Sequence, residues 1–252
     1  MLTIPELSDQ HISDFKKDGF VVLRRAFDTD EARQIQTWAT ELAEMPEVSG
    51  KHWVYHEKSK LDPAIDLINR IEYISPFHDG FAELSEVLES PMEQLLGEKA
   101  VLFKEKINFK MPGGDGFRPH QDSQAGWEEY ADYFINVMVC IDEATIENGC
   151  LQLVAGHQNR GLYREWEPLT DEDMADMDFI HYPTQPGDCV FFDCYAPHAS
   201  EPNLSNKIRR LYFATYNRLS EGDHLDRYYA DKHKSYPPDI DRIPGNEYVF
   251  RV

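Results

Sequence analysis

Three scarcities bound this chain before any motif is read. No apolar run approaches the roughly 18 residues that a membrane-crossing helix needs. The opening residues, MLTIPELSDQHISDF, have neither a basic start nor an apolar stretch, so a secretory signal is not expected. Cysteine is sparse: Cys140, Cys150, Cys189 and Cys194 show no CxxC spacing. That argues against a zinc site or a disulfide framework and for reduced core thiols in a cytoplasmic protein. Basic residues are also few, with 25 Lys and Arg against 46 Asp and Glu and a formal net charge of −21. A surface of that sign repels nucleic acid and anionic membranes, and neither is an expected partner. A local basic pocket could still hold a small anion.

What is present describes a globular enzyme. With 252 residues, 41% hydrophobic and 28% charged, the chain can bury one substantial core, so a single domain over 1–252 is expected. Residues 8–18 read as a short helix stopped by Gly19, and Phe20–Leu23 as a strand. Asp28 and Glu31 form a capping-box pattern ahead of a helix that reaches about Met45. Residues 46–76 show no clean period. A second helical region spans 77–96, broken or restarted at Pro91. From Lys99 onward the segments 99–110, 133–141, 150–154, 187–193 and 208–216 are short and rich in Val, Ile, Phe and Tyr, the pattern of strands. Helices first and strands later predict an α+β fold with a mainly β core: a helical part to about 98, a core over 99–218 and a wrap over 219–252. The acidic stretch Glu165–Asp178 reads as a loop or as a lid over a site.

The chemistry concentrates in His120-Gln121-Asp122, His198 and Arg209. Two imidazoles and one carboxylate are the donor set of a non-haem Fe(II) centre that keeps coordination positions open. An Arg entering a buried strand needs a carboxylate partner, which a carboxylate-bearing cosubstrate supplies. HxD alone is weak, since His224-Leu225-Asp226 matches it as well, but that pair has no credible third ligand and reads as a surface pair. Arg210 competes with Arg209, because adjacent residues on a strand face opposite ways. His52, His56, His78 and His181 read as ordinary polar residues, while His157 could approach the site.

In order along the chain, KEKINFKMPGG from Lys104, the HxD, ENGCLQLVAGH ending at His157, PGDCVFFD from Pro186, and His198 with Pro202-Asn203-Leu204-Ser205 ahead of Arg209 resemble the phytanoyl-CoA dioxygenase family of Fe(II)/2-oxoglutarate oxygenases. The resemblance implies a double-stranded β-helix, a cupin-like jelly roll with flanking N-terminal helices. It implies Fe(II), 2-oxoglutarate and O₂, with His120, Asp122 and His198 as metal ligands and Arg209 on the distal carboxylate of 2-oxoglutarate, assisted by Ser200. Lys104 and Asn108 match positions that contact the cosubstrate in relatives, and Met138 stands where some carry Trp. The family spacing favours Arg209 over Arg210. The implied reaction is hydroxylation with release of succinate and CO₂, since Asp122 leaves no room for a halide. Arg118, Gln121, Gln124 and Trp127 flank the metal and are candidate substrate contacts, as is Tyr130. Two amides and an Arg suit a small polar or anionic metabolite better than the alternative, an acyl-CoA ester. The rival readings are a non-oxidative cupin-like metalloenzyme and a sensor without turnover. Oligomeric state is not readable.

Overall fold

Capping chemistry sets the first two helices. In the computed structural model, which describes residues 1–249, α1 (Asp9–Asp18) starts at Ser8, whose hydroxyl accepts from the His11 backbone N–H, and ends at Gly19 with φ of 82°. A residue without Cβ takes that left-handed cap at least cost. β1 (Phe20–Leu23) follows directly. α2 (Thr29–Glu44) opens on the reciprocal Asp28–Glu31 capping box and buries Ala32, Ile35, Ala39 and Leu42.

Two departures from the sequence pattern come next. The aperiodic stretch 46–76 contains a hairpin, β2 (Trp53–Lys58) with β3 (Asp66–Glu72). The expected break at Pro91 does not occur, because α3 runs from Asp79 to Leu96 straight through it. An internal proline removes one N–H donor and crowds the preceding turn. Here Phe81, Leu84, Leu88, Met92 and Leu96 are buried on both sides of Pro91, and that continuous packing outweighs the local cost.

The remaining strands are β4 (Ala100–Lys110), β5 (Phe117–His120), β6 (Phe134–Cys140), β7 (Leu151–Leu153), β8 (Ile180–Tyr182), β9 (Cys189–Asp193), β10 (His198–Ser200) and β11 (Arg209–Arg218), followed by α4 (Leu225–Ser235). All pairings are antiparallel. A larger sheet runs β1-β9-β6-β11-β4-β3-β2 and a smaller one β5-β10-β7-β8. This is a jelly roll with flanking helices, an α+β chain with a mainly β core. The wrap beyond Arg218 is thus partly helical, and its last three residues lie outside the described ones.

Alternation along the central strands divides the core. In β6, Val137 and Val139 join the cluster shared with α1, α2 and α3, while Met138 and Cys140 join a second cluster with Leu151 and Leu153 of the smaller sheet. In β11, Tyr212, Ala214 and Tyr216 face the helices, whereas Leu211 and Phe213 face inward between the sheets. Successive side chains of a strand point to opposite faces, so Arg209 goes inward with Leu211 and Arg210 outward with Tyr212. All four cysteines are free and buried. Among the described residues no helix is long and apolar enough to cross a membrane.

Candidate metal centre and its cavities

Strand pairing brings the two histidines together. β10 lies against β5 with His198 directly opposite His120, and their ring centroids stand 4.2 Å apart. β5 ends at His120, and a short 3₁₀ turn from Asp122 to Ala125 swings the carboxylate towards them. Asp122 is therefore not on an extended strand, as an HxD on one sheet face would require, although Gln121 before it is extended. Asp122 Oδ1 lies 3.9 Å from His120 Nε2 and Oδ2 lies 3.8 Å from His198 Nε2. All three donor atoms fall within 4.8 Å of one another, close enough to share a metal ion.

Both rings are held in the tautomer that metal binding needs. Nδ1 of His120 donates to the Arg118 carbonyl at 2.6 Å, and Nδ1 of His198 to that of Ala196 at 3.0 Å. Each Nε2 lone pair is thereby left facing Asp122. Burial, and then the neighbouring His198, push His120 down to about 3, while burial lowers His198 as well. Burial alone would raise the Asp122 carboxyl, but His198, Lys104 and Lys106 outweigh it and hold it at about 2. Two neutral imidazoles and a carboxylate fit Fe(II) as a donor set.

A narrow inner cavity adjoins the three residues. It is lined by Asn108, Ser200, Arg209 and Leu211 as well as by His120, Asp122 and His198. Arg209 is fully buried and donates through Nη2 to the Gly149 carbonyl at 3.0 Å, while its Nε and the Asn108 Oδ1 have no hydrogen-bond partner among the described residues. Burial lowers the guanidinium to about 10. A buried cation with unused donors suits a carboxylate ligand. Lys110 braces the same corner, donating to Ser200 Oγ at 2.8 Å and to the Glu201 carbonyl. Gly149, at φ of 77°, permits this crowding: an added Cβ would stand 2.1 Å from the Glu201 carbonyl oxygen. Arg210, on the opposite face, is committed elsewhere, in a two-pronged ion pair with Asp142 at 2.7 and 3.0 Å and a hydrogen bond to Thr40.

An outer cavity of about 230 Å³ opens beyond Asp122. Arg70, Lys104, Lys106 and Lys232 line it together with Trp127 and Tyr228. The Lys104 ammonium sits 4.1 Å over the Trp127 ring. Burial, then neighbouring Lys106, hold it well below the usual lysine range. Lys106 lines both cavities. It was absent from the sequence candidates although it shares the period-2 face of Lys104 and Asn108, and Lys110 was missed in the same way.

Several expected contacts fall elsewhere. Lys104 lines the outer cavity rather than the inner one. Met138 is fully buried in the apolar cluster between the sheets and is absent from the inner cavity's lining. Gln121 and Gln124 are fully buried and line neither cavity. Gln121 instead bonds the Gly161 and Tyr195 carbonyls and the Tyr163 N–H at 2.8–2.9 Å. The Gln124 side-chain amide donates to the Glu167 carbonyl and accepts from the Gln121 N–H, and its backbone carbonyl accepts from the Trp166 N–H. Their amides are consumed in fastening residues 161–167 to the metal segment. Trp127 and Tyr130 do line the outer cavity, whereas Arg118 lines an adjoining one of about 460 Å³ that includes His120 and shares Arg70, Trp166 and Tyr236 with the outer cavity. His224 caps α4 and bonds the Glu221 carbonyl, Asp226 bonds Tyr73, and His157 bonds Tyr163, so none of them joins the cluster.

Comparison with known proteins supplies context. The family model for phytanoyl-CoA dioxygenase matches residues 15–211. The chain is 40% identical over 93% of its length to a 2-aminoethylphosphonate dioxygenase from an uncultured bacterium, covering 90% of that protein. It is 37% identical over 91% of its length to a methylphosphonate hydroxylase of Gimesia maris, covering 88% of it. Among solved structures, EctD from S. alaskensis, determined with 2-oxoglutarate and 5-hydroxyectoine, superposes with a TM-score of 0.73 at 23% identity over 85% of this chain and 77% of that one. That likeness is one of fold.

Proposed function

The chain belongs to the phytanoyl-CoA dioxygenase family, and from that membership we propose that it is an Fe(II)- and 2-oxoglutarate-dependent dioxygenase hydroxylating a small organophosphonate. The reaction class follows the family and its named relatives. The substrate class draws on two relatives, each named for a phosphonate, and on one observation that carries it here. The cavity beside Asp122 is small and gathers four basic side chains, Arg70, Lys104, Lys106 and Lys232, in a chain of net charge −21. Its volume, about 230 Å³, suits a few carbons and a headgroup, below the range of drug-sized ligand sites. An acyl-CoA ester does not fit that description.

His120, Asp122 and His198 would hold the iron, and Arg209, Ser200 and Asn108 would seat the cosubstrate in the inner cavity. Bound there, iron and 2-oxoglutarate would activate O₂, the oxidant, so that one oxygen atom enters a C–H bond of the substrate and the other enters succinate, with loss of CO₂. The chain's own work is positional. The Arg118 and Ala196 carbonyls fix both imidazole tautomers. The Gly149 carbonyl anchors the Arg209 fork, which then offers its remaining donors to a carboxylate. Gln121 and Gln124 fasten residues 161–167 to the segment that carries His120 and Asp122.

The test is succinate release from iron-loaded protein with 2-oxoglutarate and O₂, comparing methylphosphonate and 2-aminoethylphosphonate with ectoine and an acyl-CoA. Stimulation by a phosphonate, with a hydroxylated product, is expected. Stimulation by ectoine or the acyl-CoA alone, or by none of the four, overturns the substrate assignment.

A further inference from the structure

We propose that Lys104 and Lys106, backed by Arg70 and Lys232, form a subsite for a tetrahedral phosphorus oxyanion, with Lys104 as its central donor. The inference deepens the phosphonate reading above and rests on it for the identity of the substrate. Lys104 is buried, and neither its ammonium nor that of Lys106 makes a hydrogen bond or an ion pair with any described residue. Their recorded neighbours are aromatic faces: Trp127 and Tyr228 for Lys104, Phe117 and Phe213 for Lys106. Ring faces attract a cation but offer its N–H groups no acceptor, so these donors face the cavity and are open to an anion that enters it.

The neighbouring carboxylates do not meet that need. Glu72 is already taken by Arg70 at 2.6 Å and by Lys232. Asp122 belongs to the metal cluster. Asp231, also on the cavity wall, pairs with Lys234 at 2.9 Å and accepts from the Tyr130 hydroxyl at 3.2 Å, and Glu129 is exposed. With Arg70 and Lys232 sharing Glu72, the Lys104 and Lys106 amines are the basic groups on the cavity wall that make no ion pair with a described carboxylate. A phosphonate or phosphate dianion offers three oxygens to several donors at once, which a planar carboxylate monoanion does not.

The test separates this subsite from turnover. Anaerobic calorimetry on Fe(II)-loaded protein with 2-oxoglutarate measures affinity for methylphosphonate, inorganic phosphate and acetate, in wild type and in Lys104→Met. Lys104→Met is the primary variant because Lys106 also borders the cosubstrate cavity. The expected result is that both phosphorus oxyanions bind more tightly than acetate, and that Lys104→Met weakens them by roughly ten- to a hundredfold, as for one charge-assisted hydrogen bond. Lys104→Met is also expected to raise the Tm of the ligand-free protein, whereas a merely structural lysine on Trp127 would lower it. Undiminished methylphosphonate affinity in Lys104→Met, or acetate bound as tightly as methylphosphonate, overturns the subsite. Phosphonate turnover with KM unchanged in the variant removes the subsite and leaves the substrate reading standing. Lys104-dependent phosphate binding without phosphonate turnover does the reverse.

Discussion

Arg209 and Lys110, on neighbouring strands, reach the same carbonyl oxygen, that of Gly149, at 3.0 and 3.5 Å. That carbonyl anchors Arg209 at the closed end of the inner cavity and touches Lys110, which Ser200 Oγ and the Glu201 carbonyl hold more closely. Lys110 is pushed down to about 6 by burial and then by Arg209, so the pair does not carry two full charges at neutral pH.

Arg209→Ala is expected to weaken 2-oxoglutarate binding by roughly a hundredfold, the loss of a two-pronged charged contact, with the fold retained. Arg210→Ala should leave cosubstrate affinity near wild type and cost about 2 kcal/mol of stability, because it strands the partly buried Asp142. Anaerobic titration of 2-oxoglutarate and urea melts of the two variants would show the contrast. Equal cosubstrate affinity in both variants would remove Arg209 from the site.

Asp122→Ala should reduce succinate formation to background while leaving the circular dichroism spectrum unchanged. Iron affinity should drop by more than the roughly 10–100-fold that follows loss of a ligand's outer partner. Wild-type succinate output with a full complement of iron would show that Asp122 is not a ligand.

Much of this was legible in the sequence, and the exceptions share a cause. The capping box at Asp28 and the glycine stop at Gly19 are local signals, and they set a helix start and a helix end within a residue. The long strands Ala100–Lys110 and Arg209–Arg218 have enough residues for composition to speak. Phe117–His120, Ile180–Tyr182 and His198–Ser200 have three or four residues each and owe their extended form to pairing across the sheet. The hairpin Trp53–Lys58 and Asp66–Glu72 hides its period behind charged and aromatic residues at the mouth of the cavity. His120, Asp122 and His198 stand out in the sequence because their types are rare in combination, and the fold brings their donor atoms within 4.8 Å of one another. Gln121 and Gln124 were read as cavity walls because polar residues beside a metal suggest a ligand, and no sequence pattern shows that a loop backbone 40 residues away claims their amides.

That claim has its own consequence. Gln121→Leu removes an acceptor from the Tyr163 N–H and a donor from two carbonyls, at a cost of about 1–3 kcal/mol per unmet buried group. Hydrogen exchange at Tyr163 should accelerate while α2 stays as protected as in wild type. Unchanged protection at Tyr163 would show that residues 161–167 are held by other contacts.

The pairing of Glu72 with Arg70 and Lys232 predicts a pH signature. Burial alone would raise its carboxyl, but Lys232 and Arg70 hold it at about 2, below the ordinary 4.5. A depressed carboxylate contributes stability that is complete above the unfolded value and is lost as pH falls from about 4.5 towards 2. The shift corresponds to about 3 kcal/mol. Glu72→Gln should therefore be less stable than wild type by that order at pH 7, and the gap should narrow steadily below pH 4.5. A gap of constant size down to pH 3 would show that the carboxylate charge is not what matters.

The four free cysteines have a practical bearing. Burial raises every thiol, Cys140 to about 12 and the other three in the same direction. Thiolates are the reactive form, so the native chain is a silent background for maleimide chemistry. A single cysteine introduced at the exposed Leu162, between the two backbone groups that Gln121 holds, could carry a fluorophore or a spin label with no competing site. The segment fastened over the metal can then be followed directly in solution, one labelled position at a time.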